Sequence, residues 1–543
     1  MSSATSLPMC PSACLHFPTF VLLHLWLPPV LTMDSFRMPV GIETLPLELQ
    51  EAILDLIFNR KPPVRLAHGE TPKPRIPQLR DPLAILAQVR PQWRAIIQSR
   101  LYSHIKIKAS VAGLRECKEW FTKHPYLGEH VNHIEFWLPV WGALNPDGNP
   151  VGRPQRLTAA MTPDGKLTFI DQTKYPTAQD NASLNEIFRV VKRFFPSATT
   201  ITIDGGAKHQ TRPAEIRFDL DSDGTILLPL AKLDQIRTLV MRGAWNVVRR
   251  WETWRVIEEA LPNMTGLHCF YSHAHNGNYM TTLYLAADFP EKLQHLNLTL
   301  EGFSDIRDNI HNSIPKPILL PICQSLGVAA YQLETLTFTG RVCTDFFNAL
   351  LCHARRVRVG TSPLQSIDIT VKGCCFHRVA QDEYSNDRVV TYQLAGLSNM
   401  SFIRSFHSLV CEGLKALAVL PKVNYLRIRF IDMDSQLPMQ NPYFELKGDW
   451  CTGLWSGPIL RLLGNCRPHA SFVELSNGIE PVYEDGELLD VQHVRSRPLG
   501  IRAQQYMILE ELDRLYPQEP EQPEQSEFSE ESEESEHSEH SEQ

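Results

Sequence analysis

Cysteine is scarce and unpatterned in this chain: twelve in 543 residues, with no CxxC, and Cys374-Cys375 as the only close pair. His377 sits beside that pair, but no second ligand pair stands at zinc-site spacing, so the spacing argues against a structural zinc site. Cysteine this dilute in a long chain reads as reduced, buried thiols, the usage of the cytosol or nucleus. Catalytic signatures are missing as well. There is no GxxxxGK[ST], GxSxG, HExxH or GxGxxG, so the chain is expected not to be an enzyme and to need no cofactor and no metal. A basic surplus is also lacking. The net charge is −8, but residues 517–543 hold eleven glutamates and no Lys or Arg, and removing those eleven leaves the body at about +3. A near-neutral body has no nucleic-acid footprint. Finally, no uninterrupted membrane span occurs. Residues 17–31 are apolar, yet Pro18, Pro28 and Pro29 break them and no Lys or Arg precedes them. Two readings of this leader stay open: a secretory segment, or a disordered extension with Met33 or Met38 opening the folded protein. Four Asn-X-Ser/Thr sites, at Asn181, Asn263, Asn297 and Asn399, matter only in the first case.

What is present divides the chain. Residues 1–40 form a disordered leader, and residues 42–108 are helical, interrupted by a loop over 59–82 that carries six prolines. Residues 110–510 show a different rhythm, and 517–543 are a low-complexity acidic tail. The hydrophobic fraction of 43% is enough to build a core.

The middle rhythm is an apolar-x-x-apolar-x-apolar signature that occurs eight times. It begins at Val131, Ala198, Ile236, Met264, Leu293, Leu333, Leu364 and Val423. The last two apolar positions lie two apart and share one face of a short strand, while the first lies where the chain enters from a turn. Helical stripes precede several units and end in proline: 184–195 before Pro196, 251–261 before Pro262, 406–420 before Pro421. Units of helix, proline and strand cannot bury their apolar faces alone and must stack on neighbours. The expected fold class is therefore α/β, an irregular leucine-rich-repeat-like solenoid with insertions. The asparagine that usually closes such a repeat is absent from most units. An ordinary α/β domain whose strands follow helices remains the competing reading.

Two helices precede this array. Thr44 is placed to cap the first, Pro46 stands just inside its start, and Glu48 sits in its first turn. Leu45, Leu49, Ile53 and Leu56/Ile57 step along one side, with Leu47 and Leu54 adding a second apolar side. In the second segment Leu83, Leu86, Val89, Trp93 and Ile96/Ile97 step by three or four, and Pro91 can begin a new helix. From spacing alone, the pair serves equally as the N-terminal cap of a repeat array. The order Leu45-Pro46-x-Glu48-Leu49-x-x-x-Ile53-Leu54, followed by Leu83, Leu86, Val89 and Trp93-Arg94, resembles the F-box motif. This chain departs from the family in the proline-rich split at 59–82, and in Arg90-Pro91 where a Cys-Arg or Cys-Lys is usual. Loop closure cost grows slowly with length, so the split is compatible with an intact helical pair.

The resemblance implies a substrate-recognition subunit of an SCF-type (cullin-RING) ubiquitin ligase, similar to fungal F-box proteins with irregular repeats. Leu45, Pro46, Leu49, Ile53, Leu54, Leu83, Leu86, Val89 and Trp93 would bind the adaptor Skp, and through it a cullin scaffold. The array would bind a protein substrate. No nucleic acid and no membrane are expected as partners, and the expected location is cytoplasmic or nuclear. The alternative is a repeat scaffold without a ubiquitin role.

Smaller motifs carry less. Asp204-Gly205-Gly206 reads as a turn. Asp219, Asp221 and Asp223 before Gly224 begin like a calcium loop, but position 230 is Leu where a glutamate is needed, so a β-turn is expected. His273 and His275 read as loop histidines. The tail serines Ser526, Ser529, Ser532, Ser535, Ser538 and Ser541 recur every three residues among glutamates, as candidate phosphorylation sites or as part of a solubilising tail.

Overall fold

The structure is a computed structural model that describes residues 91–138, 158–161, 167–170, 181–205, 217–221, 227–243, 251–271, 289–300, 322–357, 360–373, 378–381, 388–391, 395–432, 435, 437–492 and 496–516. The chain divides into two compact units, Met1–Pro62 and Pro63–Gln543, and everything described belongs to the second.

Helix α1 (Pro91–Tyr102) leads into β1 (His104–Lys108), and α2 (Val111–Lys123) and α3 (Pro125–Gly128) precede β2 (His133–Trp137). The hairpin β3 (Thr158–Met161) and β4 (Leu167–Ile170) follows, then α4 (Leu184–Phe194), β5 (Thr200–Asp204), β6 (Thr238–Gly243), α5 (Trp251–Ala260), β7 (Gly266–Tyr271) and β8 (His295–Leu300). Next come α6 (Ile322–Ala330), β9 (Thr335–Arg341), α7 (Asp345–Val357), β10 (Ser366–Gly373), the hairpin β11 (Arg378–Gln381) and β12 (Arg388–Thr391), α8 (Met400–Leu417) and β13 (Tyr425–Phe430). The last part holds β14 (Tyr443–Lys447), β15 (Trp450–Trp455), α9 (Gly457–Cys466), β16 (Ser471–Phe472), the hairpin β17 (Pro481–Glu484) and β18 (Glu487–Val491), β19 (Gly500–Arg502) and α10 (Tyr506–Leu515).

Local chemistry explains these elements. In α4, Ser183 and Glu186 form a reciprocal capping box, and Leu184, Ile187, Phe188 and Val191 supply the buried stripe. Asn399 caps α8 by accepting from the backbone of Ser401 and Phe402, and Ser456 caps α9. Pro196, Pro262 and Pro421 each stand between a helix end and the next strand, as the sequence predicts. Helix α8 starts six residues before its predicted stripe, because Asn399 supplies the cap there.

The fold is mixed α/β with one large, mostly parallel sheet of thirteen strands. Among the described residues the sheet is open, with no closed barrel. Nine strands, β1, β2, β5 to β10 and β13, lie parallel and in chain order. The order never reverses along this path, unlike a doubly wound sheet with its switch point. Register is preserved almost throughout: Ile134, Ile201, Leu239, Leu267, Leu296 and Leu336 stand side by side. Beyond β13 the chain turns back antiparallel through β14 and β15.

The signature's first apolar position also has a structural reason. In seven of the eight units its N–H donates to the carbonyl three residues back, as Val131 does to Gly128, Ala198 to Phe195 and Met264 to Leu261. That residue is the buried corner of a turn. The following turn stacks on it: Thr199 and Thr200 both donate to Asn132, and Arg237 and Thr238 both donate to Thr199. The eighth unit substitutes a side chain, with Leu364 N–H donating to Ser362 Oγ.

A single core joins the helices to one face of the parallel strands. Its members are the columns at Ile134 and Phe136, the turn corners, and the inward stripes of α2, α4, α5, α7 and α8. Each buried aliphatic side chain contributes about 1.5–3 kcal/mol of burial free energy. The opposite face is polar, although parallel sheets are normally buried and apolar on both sides. Strand β1 belongs to this sheet, so the expected boundary at 108 falls one strand late.

Gly453 marks where the alternation of β15 changes. Its φ is +96°, and an added Cβ would sit 2.1 Å from the Tyr443 carbonyl oxygen. Gly453→Ala is expected to cost about 2–4 kcal/mol, read as a lower urea midpoint. Gly457→Ala, with nothing within 4 Å of the new Cβ, is the control. Equal midpoints would refute the assignment.

Candidate functional site

The polar face of the parallel sheet is the candidate site. Its residues occupy the middle position between the last two apolar residues of each signature: Glu135, His268, Asn297, Asp368 and Arg427 among them. In-register pairing turns these isolated positions into a continuous row.

At the β1 end, Glu135 is fully buried beside two cations, Lys106 and Arg242, and the His104 ring. Lys106 Nζ lies 2.5 Å and Arg242 Nη2 2.9 Å from Glu135 Oε1, and His104 Nε2 lies 3.7 Å from Oε2. Arg242 Nε also reaches Asp204 Oδ2 at 3.1 Å. Burial alone would push the Glu135 carboxyl up. His104, Lys106 and Arg242 overcome it and hold the group down at about 2. His133 stacks on His104 with centroids 4.1 Å apart, and its Nε2 meets Thr202 Oγ1 at 2.7 Å. Burial, then the neighbouring His104, lowers His133 to about 4, against a smaller opposing effect of Glu135.

In the middle, His268 and Asn297 are register partners on β7 and β8. His268 Nδ1 and Asn297 Oδ1 are buried without a hydrogen-bond partner. Such atoms cost about 1–3 kcal/mol each. Burial, with a contribution from His295, brings His268 down to about 4, so its ring is neutral at pH 7.

At the β13 end, Asp368 is 1% exposed and takes Arg427 in a two-pronged pair, with Arg427 Nε 2.9 Å from Oδ1 and Nη2 on Oδ2. Arg429 Nε donates to Thr370 Oγ1 at 3.0 Å. Tyr425 donates to Glu445 Oε1 at 3.0 Å, and the Arg497 guanidinium lies 3.4 Å over the Tyr443 ring. The face thus carries fixed charge at both ends and a neutral polar centre.

Other groups are spent on structure. His407 Nε2 and Ser456 Oγ are 2.7 Å apart, but that hydroxyl is 2% exposed and caps α9. Burial lifts the Cys117 thiol to about 12 and Cys411 to about 11, leaving neither as a ready nucleophile. Among the described residues, no group of three or more His, Cys, Asp or Glu is placed to hold a metal ion, and no helix is long and apolar enough to cross a membrane.

Leu45, Pro46, Leu49, Ile53, Leu54, Leu83, Leu86 and Val89 lie outside the described residues. So do Ser526, Ser529, Ser532, Ser535, Ser538, Ser541, Cys374, Cys375, His377, His273 and His275. Trp93 lies on α1, with its side chain outside what is described. Asn181 and Asn297 are 2% and 4% exposed, so neither sequon is accessible in the folded chain. Beside the calcium-like stretch Leu220 bridges Leu227 antiparallel, while Asp223 and Gly224 lie outside the described residues. Sequence reasoning misses Glu135, Asp368, Arg427 and Arg429, although the first three are marked by the signature itself and Arg429 follows it directly. It also misses β1, whose entry Tyr102-x-x-Ile105-x-Ile107 is the same pattern with an aromatic corner.

The chain matches no protein-family model and no curated protein.

Proposed function

We propose that the chain is the substrate-recognition subunit of an SCF-type ubiquitin ligase. In this reading the segments around 45–57 and 83–97 dock on Skp, and a leucine-rich-repeat-like array holds a protein substrate on its polar face. The observation that carries it is the nine-strand path in unbroken chain order, which supports a stacked-repeat architecture with one face left for a partner. The F-box-like residue order upstream supplies the docking half. Function is then proximity: holding the substrate raises the effective concentration of its lysines at a charged ubiquitin-conjugating enzyme.

Full-length protein is expected to co-elute with Skp. Leu45→Asp combined with Trp93→Ala abolishes co-elution while far-ultraviolet circular dichroism stays that of the folded array. Co-elution unchanged by the double substitution would refute the docking role.

One observation favours the competing reading, a repeat scaffold whose N-terminal helices are only a cap. Helix α1 runs into β1 with Ser103 alone between them, and Ile97 is fully buried. A cap predicts no recovery of Skp, and unfolding of the array when 42–102 are removed with β1 left in place.

A further inference from the structure

The β13 end of the polar face carries more positive charge than its own carboxylates neutralise. Arg427 is matched by Asp368, and Glu445 is occupied by Tyr425. Arg429 and Arg497 have no ion-pair partner among the described residues. Lys447 lies on the same face, as register partner of Tyr425, and is exposed. Lys372, two residues beyond Thr370 on β10, is exposed at the bulge between Val371 and Gly373. Burial, then Arg427, disfavours the charged form of Arg429, so an arriving anion would relieve it.

The C-terminal helix starts at this patch. Tyr506, the first residue of α10, donates to the Gln440 carbonyl at 2.7 Å and lies within the electrostatic reach of Arg497 and Tyr443. Helix α10 ends at Leu515, roughly 15 Å from its start at about 1.5 Å per residue. Beyond it the chain continues into the acidic sequence 517–543, with eleven glutamates and no Lys or Arg. Ten of its residues, at about 3.3 Å each, span roughly 33 Å, more than enough to return along the helix. A tether this short gives an effective concentration on the order of millimolar.

We propose that residues 517–543 dock in cis on the Arg429–Arg497 patch and occupy that end of the polar face. The contact is electrostatic: glutamates pair with the two guanidiniums and with Lys372 and Lys447. A phosphate on Ser526, Ser529 or Ser532 would tighten it, since each adds nearly two charges and suits the guanidinium fork. The inference does not depend on the ubiquitin-ligase reading. If that reading holds, the tail competes with substrate for the same surface.

Zero-length carbodiimide coupling of carboxylates to lysines tests this on the full chain. Equimolar isotope-labelled and unlabelled protein are mixed, so that links within a chain separate by mass from links between chains. The expected result is tail glutamates joined to Lys447 and Lys372 within one chain. The yield should fall about tenfold in Arg429→Gln/Arg497→Gln, the equivalent of losing one to two charge-assisted contacts. It should fall similarly in wild-type protein at about 1 M salt, where screening is nearly complete and no folding defect intervenes. Absence of these links overturns the proposal. So do links spread evenly to lysines of the helical side such as Lys118 and Lys192, links only between chains, or a yield indifferent to both the substitutions and salt. A single-stranded oligonucleotide that binds the patch equally well with the tail present or removed also overturns it, in favour of a nucleic-acid surface.

Discussion

Asp368→Ala is expected to lower the unfolding free energy by about 3–5 kcal/mol, the cost of breaking a buried ion pair from one side. The carboxylate is 1% exposed and holds both prongs of Arg427, whose side chain is 22% exposed. Burial pushes the Arg427 guanidinium down, and Asp368 more than restores it. Removing Asp368 leaves that cation with Glu445, already bonded to Tyr425, and places it beside Arg429 without a buffer. Asp368→Asn keeps the shape and one acceptor and should cost less. The comparison that decides the matter is Asp219→Ala. Asp219 also meets an arginine, but at 3.5 Å, with Arg189 61% exposed. An exposed pair is worth under about 1 kcal/mol. Chemical denaturation of the three variants should rank Asp368→Ala well above the other two. If Asp368→Ala unfolds no more readily than Asp219→Ala, the pair is not holding the face together.

The polar face and the core differ in how legible they are from sequence. The core announces itself, because Val131, Ile134 and Phe136 repeat in kind at Ala198, Ile201 and Ile203 and at Leu293, Leu296 and Leu298. Burial demands apolar side chains at fixed offsets, so the offset survives even when the residues change. Proline stops add the direction of travel from helix to strand. The facing row is different. Glu135, Thr202, Val240, His268 and Asn297 share a column but no chemistry, and no periodicity links them. Only the register makes them neighbours, and register depends on turns stacked through Asn132, Thr199 and Arg237 across insertions of uneven length. Arg242 illustrates this: it reaches Glu135 over more than a hundred residues of chain, across the intervening strand β5. Asp204, read as part of a turn, is the last residue of β5, and its partnership with Arg242 is not legible from sequence. Past β13 the alternation changes at Gly453, and the antiparallel return through β14 and β15 leaves no signature to follow.

The two lowered histidines predict the second large effect, a loss of stability on mild acidification. His133 and His268 move from 6.5 to about 4 on folding, burial being the main cause in both. In the unfolded chain each takes up a proton as the pH falls through 6.5, whereas in the folded chain neither does until about 4. The unfolded state therefore binds more protons across that window, and stability falls with pH. By pH 5 the loss is about 2 kcal/mol for each histidine, and together they exceed most single substitutions. His407, lowered by burial, acts in the same direction. Glu135 does not confuse the measurement. Its carboxyl is held at about 2 against an ordinary 4.5, so its stabilising contribution is complete above 4.5 and is lost only below it. Denaturation midpoints taken from pH 7.5 to 5 should thus fall steadily in the wild type. His133→Gln, which keeps a hydrogen-bonding group for Thr202, and His268→Gln should each remove a large share of the slope, and the double variant should keep only the shallower slope left by His407. A double variant whose midpoint tracks the wild type over that range would mean that the protons are taken up elsewhere. It would also mean that the polar face is open enough to water for its imidazoles to charge in the folded chain.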